Sequence, residues 1–349
     1  MMASLPFVTA DLPGSGGTVR TAPEDFRVDE VPAYLPSGAG PHLYLRIEKR
    51  GRTTRDAVRT LAHALGVPER DAGFAGMKDK DAVTTQWLSF PVASDPDVAA
   101  LAGPGLRVVE ASRHANKLRT GHVRANVFSL LVRGGDPARA GAAAEALAAR
   151  GLANFFGPQR FGTEGRNAEV GRALLRGEET PEARRAARDR FLRRLSISAY
   201  QALLFNRWLA ERMADGLFAA ALAGDVMKKL DSGGLFTCED PAVDGPRVAA
   251  FEISPAGPMF GHKLRAAAAA ALVREERILA AEGMTLEAFA RGGGEAEGTR
   301  RAARLRADVH VEPEGDGYRA RFELPKGSYA TVVLREIMKG EAEVPEEEE

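Results

Sequence analysis

Apolar and polar residues alternate with a period of two in four short segments of the first half of the chain: FRVDEV from Phe26, HLYLRIEK from His42, TTQWLSFPV from Thr84 and ANVFSLLVRG from Ala125. Each predicts a strand with one face turned to a core. Between the second and third, Val58, Leu61, Ala62 and Leu65 recur at helical spacing with Gly66 as a stop, which predicts a helix over 55–65. A second helix is predicted over 138–150, closed by Gly151. From about residue 165 to 305 the pattern changes to Ala- and Arg-rich helical segments, among them SAYQALLFNRWLAERM and KLRAAAAAALVREERILAAE. Between those two, residues 224–257 read as short strands and turns, and RGGGEAEGTR (291–300) reads as a loose connection. Alternation returns in RADVHVEPEGDGYRARFELP, followed by a helix near 329–339. A β-rich stretch, a helix-rich block and a return to β pattern predict an α+β domain interrupted by an insertion. We place its first part at 1–164, the insertion at 165–305 and the closing segment at 306–340. An acidic tail at 341–349 is expected to be disordered.

Charge alters this picture locally. The 349 residues carry 48 basic and 48 acidic side chains, a formal net charge of zero. The tail EAEVPEEEE holds six glutamates, so the rest of the chain stands at +6. Between Arg107 and Arg133 lie six basic residues against the single acid Glu110, and between Arg46 and Arg59 six against two. Such stretches are either solvated faces or a surface that tracks phosphates, because polyanion binding follows the local field and not the net charge. A single cysteine, Cys238, rules out an intramolecular disulfide and a cysteine-rich zinc site. The N-terminus has no basic region followed by an apolar run, and no segment approaches the roughly 20 apolar residues of a membrane span. We expect a cytoplasmic protein with no membrane association.

Several common site signatures are missing. There is no GxxxxGK[ST] loop, no GxGxxG opening a helix, no GxSxG elbow and no HExxH, and the six histidines lack metal-ligand spacing. What remains is FAGMKDKDAVTTQW, residues 74–87. An apolar run ends at Gly76, a polar loop carries Lys78, Asp79, Lys80 and Asp81, and a strand follows. An aspartate between two lysines stays ionised in a field that attracts phosphate. By itself the segment also reads as a plain hairpin turn.

GMKDKDAVTTQW resembles the GxKDxxAVTxQ signature of the TruD family of tRNA pseudouridine synthases. Three further segments match that family in the same order: APEDFRVDE (22–30), NFFGPQRFG (154–162) and LPKGSYATVVLREIM (324–338). Together the motifs span nearly the whole chain. The resemblance implies an α+β pseudouridine-synthase catalytic domain with a mixed, largely antiparallel sheet, interrupted by a helix-rich α/β TRUD domain. It implies isomerisation of uridine to pseudouridine in tRNA, at position 13, with the base flipped into a cleft between the two domains. Asp79 falls on the catalytic aspartate. Phe156 matches the base-stacking phenylalanine, Asn154 an asparagine against the catalytic loop, and Phe26 an aromatic near the active site. Arg20 stands where the family usually has a lysine, and Tyr329 where related enzymes have phenylalanine.

The reaction breaks N1–C1′ and rejoins the uracil through C5. It needs no redox partner and no phosphate energy, so no metal, nucleotide or other cofactor is expected. A carboxylate can attack C1′ or remove a proton from C2′, and must be charged for either. Flipping the nucleotide out of folded RNA needs phosphate contacts, for which Lys78, Lys80, Arg113, Lys117, Arg119, Arg124 and Arg160 are the candidates. We expect a monomer acting on tRNA. The rival reading is a catalytically silent RNA-binding or RNA-folding protein on the same scaffold.

Overall fold

The computed structural model describes residues 5–340; the acidic tail at 341–349 lies outside the described residues. Along the chain run β1 (Phe26–Pro32), β2 (His42–Arg50), α1 (Thr54–Ala64), β3 (Gly73–Phe74), β4 (Val83–Pro91), β5 (Leu106–His114), β6 (Val123–Val132) and α2 (Pro137–Arg150). There follow β7 (Leu152–Ala153), α3 (Arg166–Arg176), α4 (Pro181–Arg188), α5 (Arg190–Ala214), β8 (Val226–Lys229), β9 (Leu235–Thr237), α6 (Pro241–Ala249), β10 (Ile253–Met259), α7 (Ala269–Ala281), β11 (Thr299–Ala302) and β12 (Arg304–Leu305). The chain closes with β13 (His310–Glu314), β14 (Gly317–Pro325) and α8 (Ala330–Met338).

These elements form two compact units. One comprises Leu12–Glu145, Ala307–Ala330 and the described residues from Ile337; the other comprises the described residues up to Asp11, Ala146–Arg306 and Thr331–Glu336. The first is built on an eight-stranded sheet in the order β13-β14-β6-β1-β4-β2-β5, with β3 paired to β4. Only β1 and β4 run parallel, so the sheet is mixed and mostly antiparallel. Alternation explains its burial. Leu43, Leu45 and Ile47 of β2 project to one face, where Ala57, Val58, Leu61 and Ala62 of α1 meet them together with Leu88 and Phe90. On the other face, Tyr44 and Trp87 pack with Ala75, Leu118 and Val123. α1 starts on a capping box in which Thr53 and Asp56 satisfy each other's backbone N–H. None of the helices among the described residues is long and apolar enough to cross a membrane.

The second unit holds the four-stranded sheet β11-β10-β8-β9, the two-stranded pair β12-β7 and helices α3 to α7. Two local expectations change here. The helix expected from Lys263 begins only at Ala269, because the preceding backbone is used elsewhere. Ala268 N–H donates to the Gly224 carbonyl, and the Arg265 carbonyl accepts from Arg300. Residues 224–257, read as strands and turns, also contain α6, started by Asp240 as N-cap with Pro241 at its first position.

Candidate active site

Asp79 lies in the loop joining β3 to β4, in the first unit. The loop is pinned from beneath by two fully buried side chains. Thr54, the first residue of α1, accepts from Lys78 N–H at 2.9 Å and donates to Gln86 Oε1 at 2.9 Å. Gln86 of β4 in turn donates to the Gly76 carbonyl at 3.1 Å. The Asp79 carboxylate accepts the Asp81 N–H at 3.1 Å through Oδ1, a local turn closed by its own side chain. Thus the polar loop is a held structure, although its composition is that of an ordinary turn.

Two cations are directed at Asp79. The Arg20 guanidinium donates through Nη1 to Asp79 Oδ2 in an ion pair whose side chains are 6% and 17% exposed. That guanidinium also lies over the Phe26 ring, 4.0 Å from its centre. Phe26 itself is buried and meets Phe128 edge to face. Just before it, Asp25 is clamped by Arg133 through Nε and Nη2 at 2.9 and 2.6 Å, which holds the Asp25 carboxyl below the usual carboxylate range. The second cation is Lys49 of β2, whose ammonium donates to the Asp79 carbonyl at 2.5 Å.

The structure therefore brings Asp79, Arg20 and Phe26 together. It places Lys78 differently from the phosphate-facing position that its neighbours suggested. The Lys78 side chain is 8% exposed, with its ammonium 2.8 Å from Glu30 Oε2 and bonded to Asn126 Oδ1 at 2.9 Å. Lys80 is exposed. In the 107–133 stretch, Arg113 is mostly covered and committed to Asp95 and the Val92 carbonyl, and Lys117 reaches the Arg70 carbonyl at 2.9 Å. Arg119 is exposed, and Arg124 is exposed with Glu323 at 3.6 Å. Tyr329 is half-buried in the turn before α8.

Asn154, Phe156 and Arg160 belong to the second unit and form a cluster there. The Phe156 backbone is held at both polar atoms by the Asn206 side-chain amide, at 2.9 and 3.0 Å. Its ring meets Phe205 edge to face at 5.7 Å, and the Arg301 guanidinium sits 3.9 Å from its centre. Arg301 also donates to the Asn154 carbonyl and to Asn154 Oδ1, at 2.9 and 2.5 Å, while Asn154 Nδ2 donates to the Ala302 carbonyl at 2.8 Å. Arg160 lies 5.9 Å from the Phe156 ring centre and bonds to Ser198. Lys49, Thr54, Gln86, Asn206 and Arg301 are the supporting residues that sequence reasoning missed. Two of them carried a readable signal: Lys49, a lysine continuing the inward row of Leu43, Leu45 and Ile47, and Gln86, the glutamine that ends the GxKDxxAVTxQ signature.

An α+β fold with a mixed, mostly antiparallel sheet and a carboxylate presented on an inter-strand loop defines the class. It resembles the crystal structure of the TruD protein from Methanosarcina mazei, with a TM-score of 0.75 over 97% of this chain and 96% of that one at 24% identity. The family model of tRNA pseudouridine synthase D (TruD) matches residues 4–186 and 179–337. The chain belongs to the TruD family. Among curated relatives, a tRNA pseudouridine synthase D of Anaeromyxobacter dehalogenans is 81% identical over 99% of both chains. One of Thermus thermophilus is 45% identical over 97% of this chain and 93% of its own.

Proposed function

We propose that this chain isomerises uridine to pseudouridine in tRNA, at position 13, with Asp79 as the reacting carboxylate. The observation that carries the reading is the Arg20–Asp79 ion pair on a pinned inter-strand loop. A carboxylate attacks C1′ or takes a proton from C2′ in its ionised form, and the Arg20 guanidinium orients this one by donating to Asp79 Oδ2. The inserted helix-rich unit is then the TRUD domain. Phe156 offers a ring face for the detached uracil, and Asn154 and Arg301 fix that ring. The test is to incubate the purified chain with unmodified tRNA, without metal or nucleotide, and to map pseudouridine. No product across a complete tRNA pool would favour the silent RNA-binding reading.

Two further expectations bear on how the substrate is held. Phe156 is 8% exposed, so truncation to alanine would mix a cavity cost with any catalytic one. Phe156→Leu keeps the apolar volume and removes the flat face. Base stacking is worth about 1–3 kcal/mol, so the single-turnover rate should fall by about 5- to 150-fold with little change in thermal stability. An unchanged rate would return Phe156 to a packing role alone.

For the RNA path, the exposed pair Arg119 and Arg124 is better placed than the committed Arg113. Replacing both by glutamine should weaken tRNA binding and reduce the log–log salt slope by roughly 0.7 to 0.9 for each phosphate that is no longer neutralised. Arg113→Gln should leave the slope nearly unchanged. Equal slopes in the double variant and the parent would make the 107–133 stretch a solvated face.

A further inference from the structure

Lys49 stands where a core residue is expected. It follows Leu43, Leu45 and Ile47 on the inward face of β2, its cross-strand neighbour is the buried Thr84, and it is itself 0% exposed. Burying an ammonium is costly, and an apolar side chain of similar length would fill the position more cheaply. The charge is instead directed at two backbone carbonyls, those of Arg52 at 2.7 Å and Asp79 at 2.5 Å. The Arg52 carbonyl belongs to the turn that leads into the N-cap of α1, and the Asp79 carbonyl to the loop that carries the carboxylate. One side chain therefore ties the reactive loop to the rigid start of a helix.

We infer that Lys49 is a positioning residue for the isomerisation: its buried ammonium clamps the backbone of Asp79, sets the carboxylate in place and adds a fixed positive charge beneath it. The inference rests on the reading of Asp79 as the reacting carboxylate. Holding a reacting group in place matters steeply, since a misplacement of about 1 Å can cost about 100-fold in rate.

The protonation of Lys49 gives the clamp its own signature. Burial pushes its ammonium down from the usual 10.5 to about 8, an effect opposed by Asp79 and, more weakly, by Asp56 of α1 and Asp81 of the loop, and reinforced by Lys78. As pH rises through about 8 the amine loses its charge. The bonds to the two carbonyls weaken from charge-assisted to neutral, and the positive field under Asp79 disappears. Stability moves the other way. The unfolded chain keeps this proton up to 10.5, so between about pH 8 and 10.5 the unfolded state binds more protons, and this group makes the fold more stable as pH rises. A merely structural lysine would let activity follow stability; a clamp makes the two diverge.

The experiment uses the full chain and unmodified tRNA under single-turnover conditions, from pH 6.5 to 9, with thermal unfolding recorded at each pH. The parent should lose rate with a midpoint near pH 8 while its melting temperature does not fall with the rate. Lys49→Met should fold, bind tRNA within about 3-fold of the parent, react about 10- to 100-fold more slowly and lack the limb near pH 8. Should the methionine variant not fold, Lys49→Gln and the parent's own profile decide, and a parent rate that is flat to pH 9 overturns the clamp. A folded Lys49→Met with the parent's rate and profile also overturns it. Asp79→Asn run alongside separates the two claims. If it retains turnover, the reading of Asp79 fails and the clamp with it; if it is inactive while Lys49→Met behaves as the parent, only the clamp fails.

Discussion

Asp79→Asn is expected to lower the single-turnover rate by about 10⁴-fold or more while leaving tRNA affinity within about 3-fold. The substitution is close to isosteric and spares the loop. Asparagine keeps an oxygen to accept the Asp81 N–H, and the bonds that pin the segment, from Lys49 to the residue 79 carbonyl, from Lys78 N–H to Thr54 and from Gln86 to Gly76, do not involve the carboxylate. What disappears is the negative charge that attacks C1′ or removes the C2′ proton. An amide does neither at neutral pH. The measurement is pseudouridine formed per enzyme in a preparation free of host synthase, with a parallel binding titration. Turnover within about 10-fold of the parent would move the catalytic role to another residue, and a collapse of affinity would make Asp79 a binding group instead.

Most strands of the large sheet were legible from apolar alternation; the two-residue β3 and the largely open β5 were not. In β1 and β6 covered and more open positions alternate, so apolar side chains at every second position write the strand into the sequence, whereas β4 is covered on both faces and buries Thr84, Gln86 and Ser89 beside Leu88 and Phe90. α1 was legible for the same reason as β1 and β6, at helical spacing. Elements decided by tertiary bonding were not. Nothing local distinguishes 263–268 from the alanine-rich helix that follows, since its backbone is bonded to Gly224 and Arg300 and not along a helix. α6 carried an N-cap and a proline at its start, but Gly245 and Pro246 inside it read as breakers.

The site divides along the same line. Asp79 and Phe26 could be named because short motifs carry them and Arg20 because it stands just before one, whereas Lys49 and Thr54, which hold the loop through backbone groups, lie in no motif. Lys49 shows how charge can mislead. It is one of six basic residues between Arg46 and Arg59 and on charge alone belongs to a phosphate-tracking face, yet strand parity places it with Leu43, Leu45 and Ile47 inside the protein. Arg301 sits beside the segment that reads as a loose connection, and only the folded chain brings it onto Phe156.

Arg20→Met should lower the single-turnover rate by about 10²- to 10³-fold, and Arg20→Lys by no more than about 10-fold. The guanidinium donates to Asp79 Oδ2 in a pair whose side chains are 6% and 17% exposed, so it fixes where the carboxylate points, and a misplacement of about 1 Å can cost about 100-fold in rate. Methionine keeps an unbranched side chain but supplies neither the charge nor the donor that Arg20 places over Phe26. Lysine restores the charge, the type of residue that the resemblance places here. Both variants inherit the same backbone. Arg20 has a left-handed φ of 64°, which any L-residue with an unbranched side chain bears at similar cost, so a difference between methionine and lysine reports the charge and not the turn. The comparison is made at saturating tRNA, where binding no longer enters the rate. Equal rates for the two variants would mean that the guanidinium only packs on Phe26 and that its charge takes no part in the reaction.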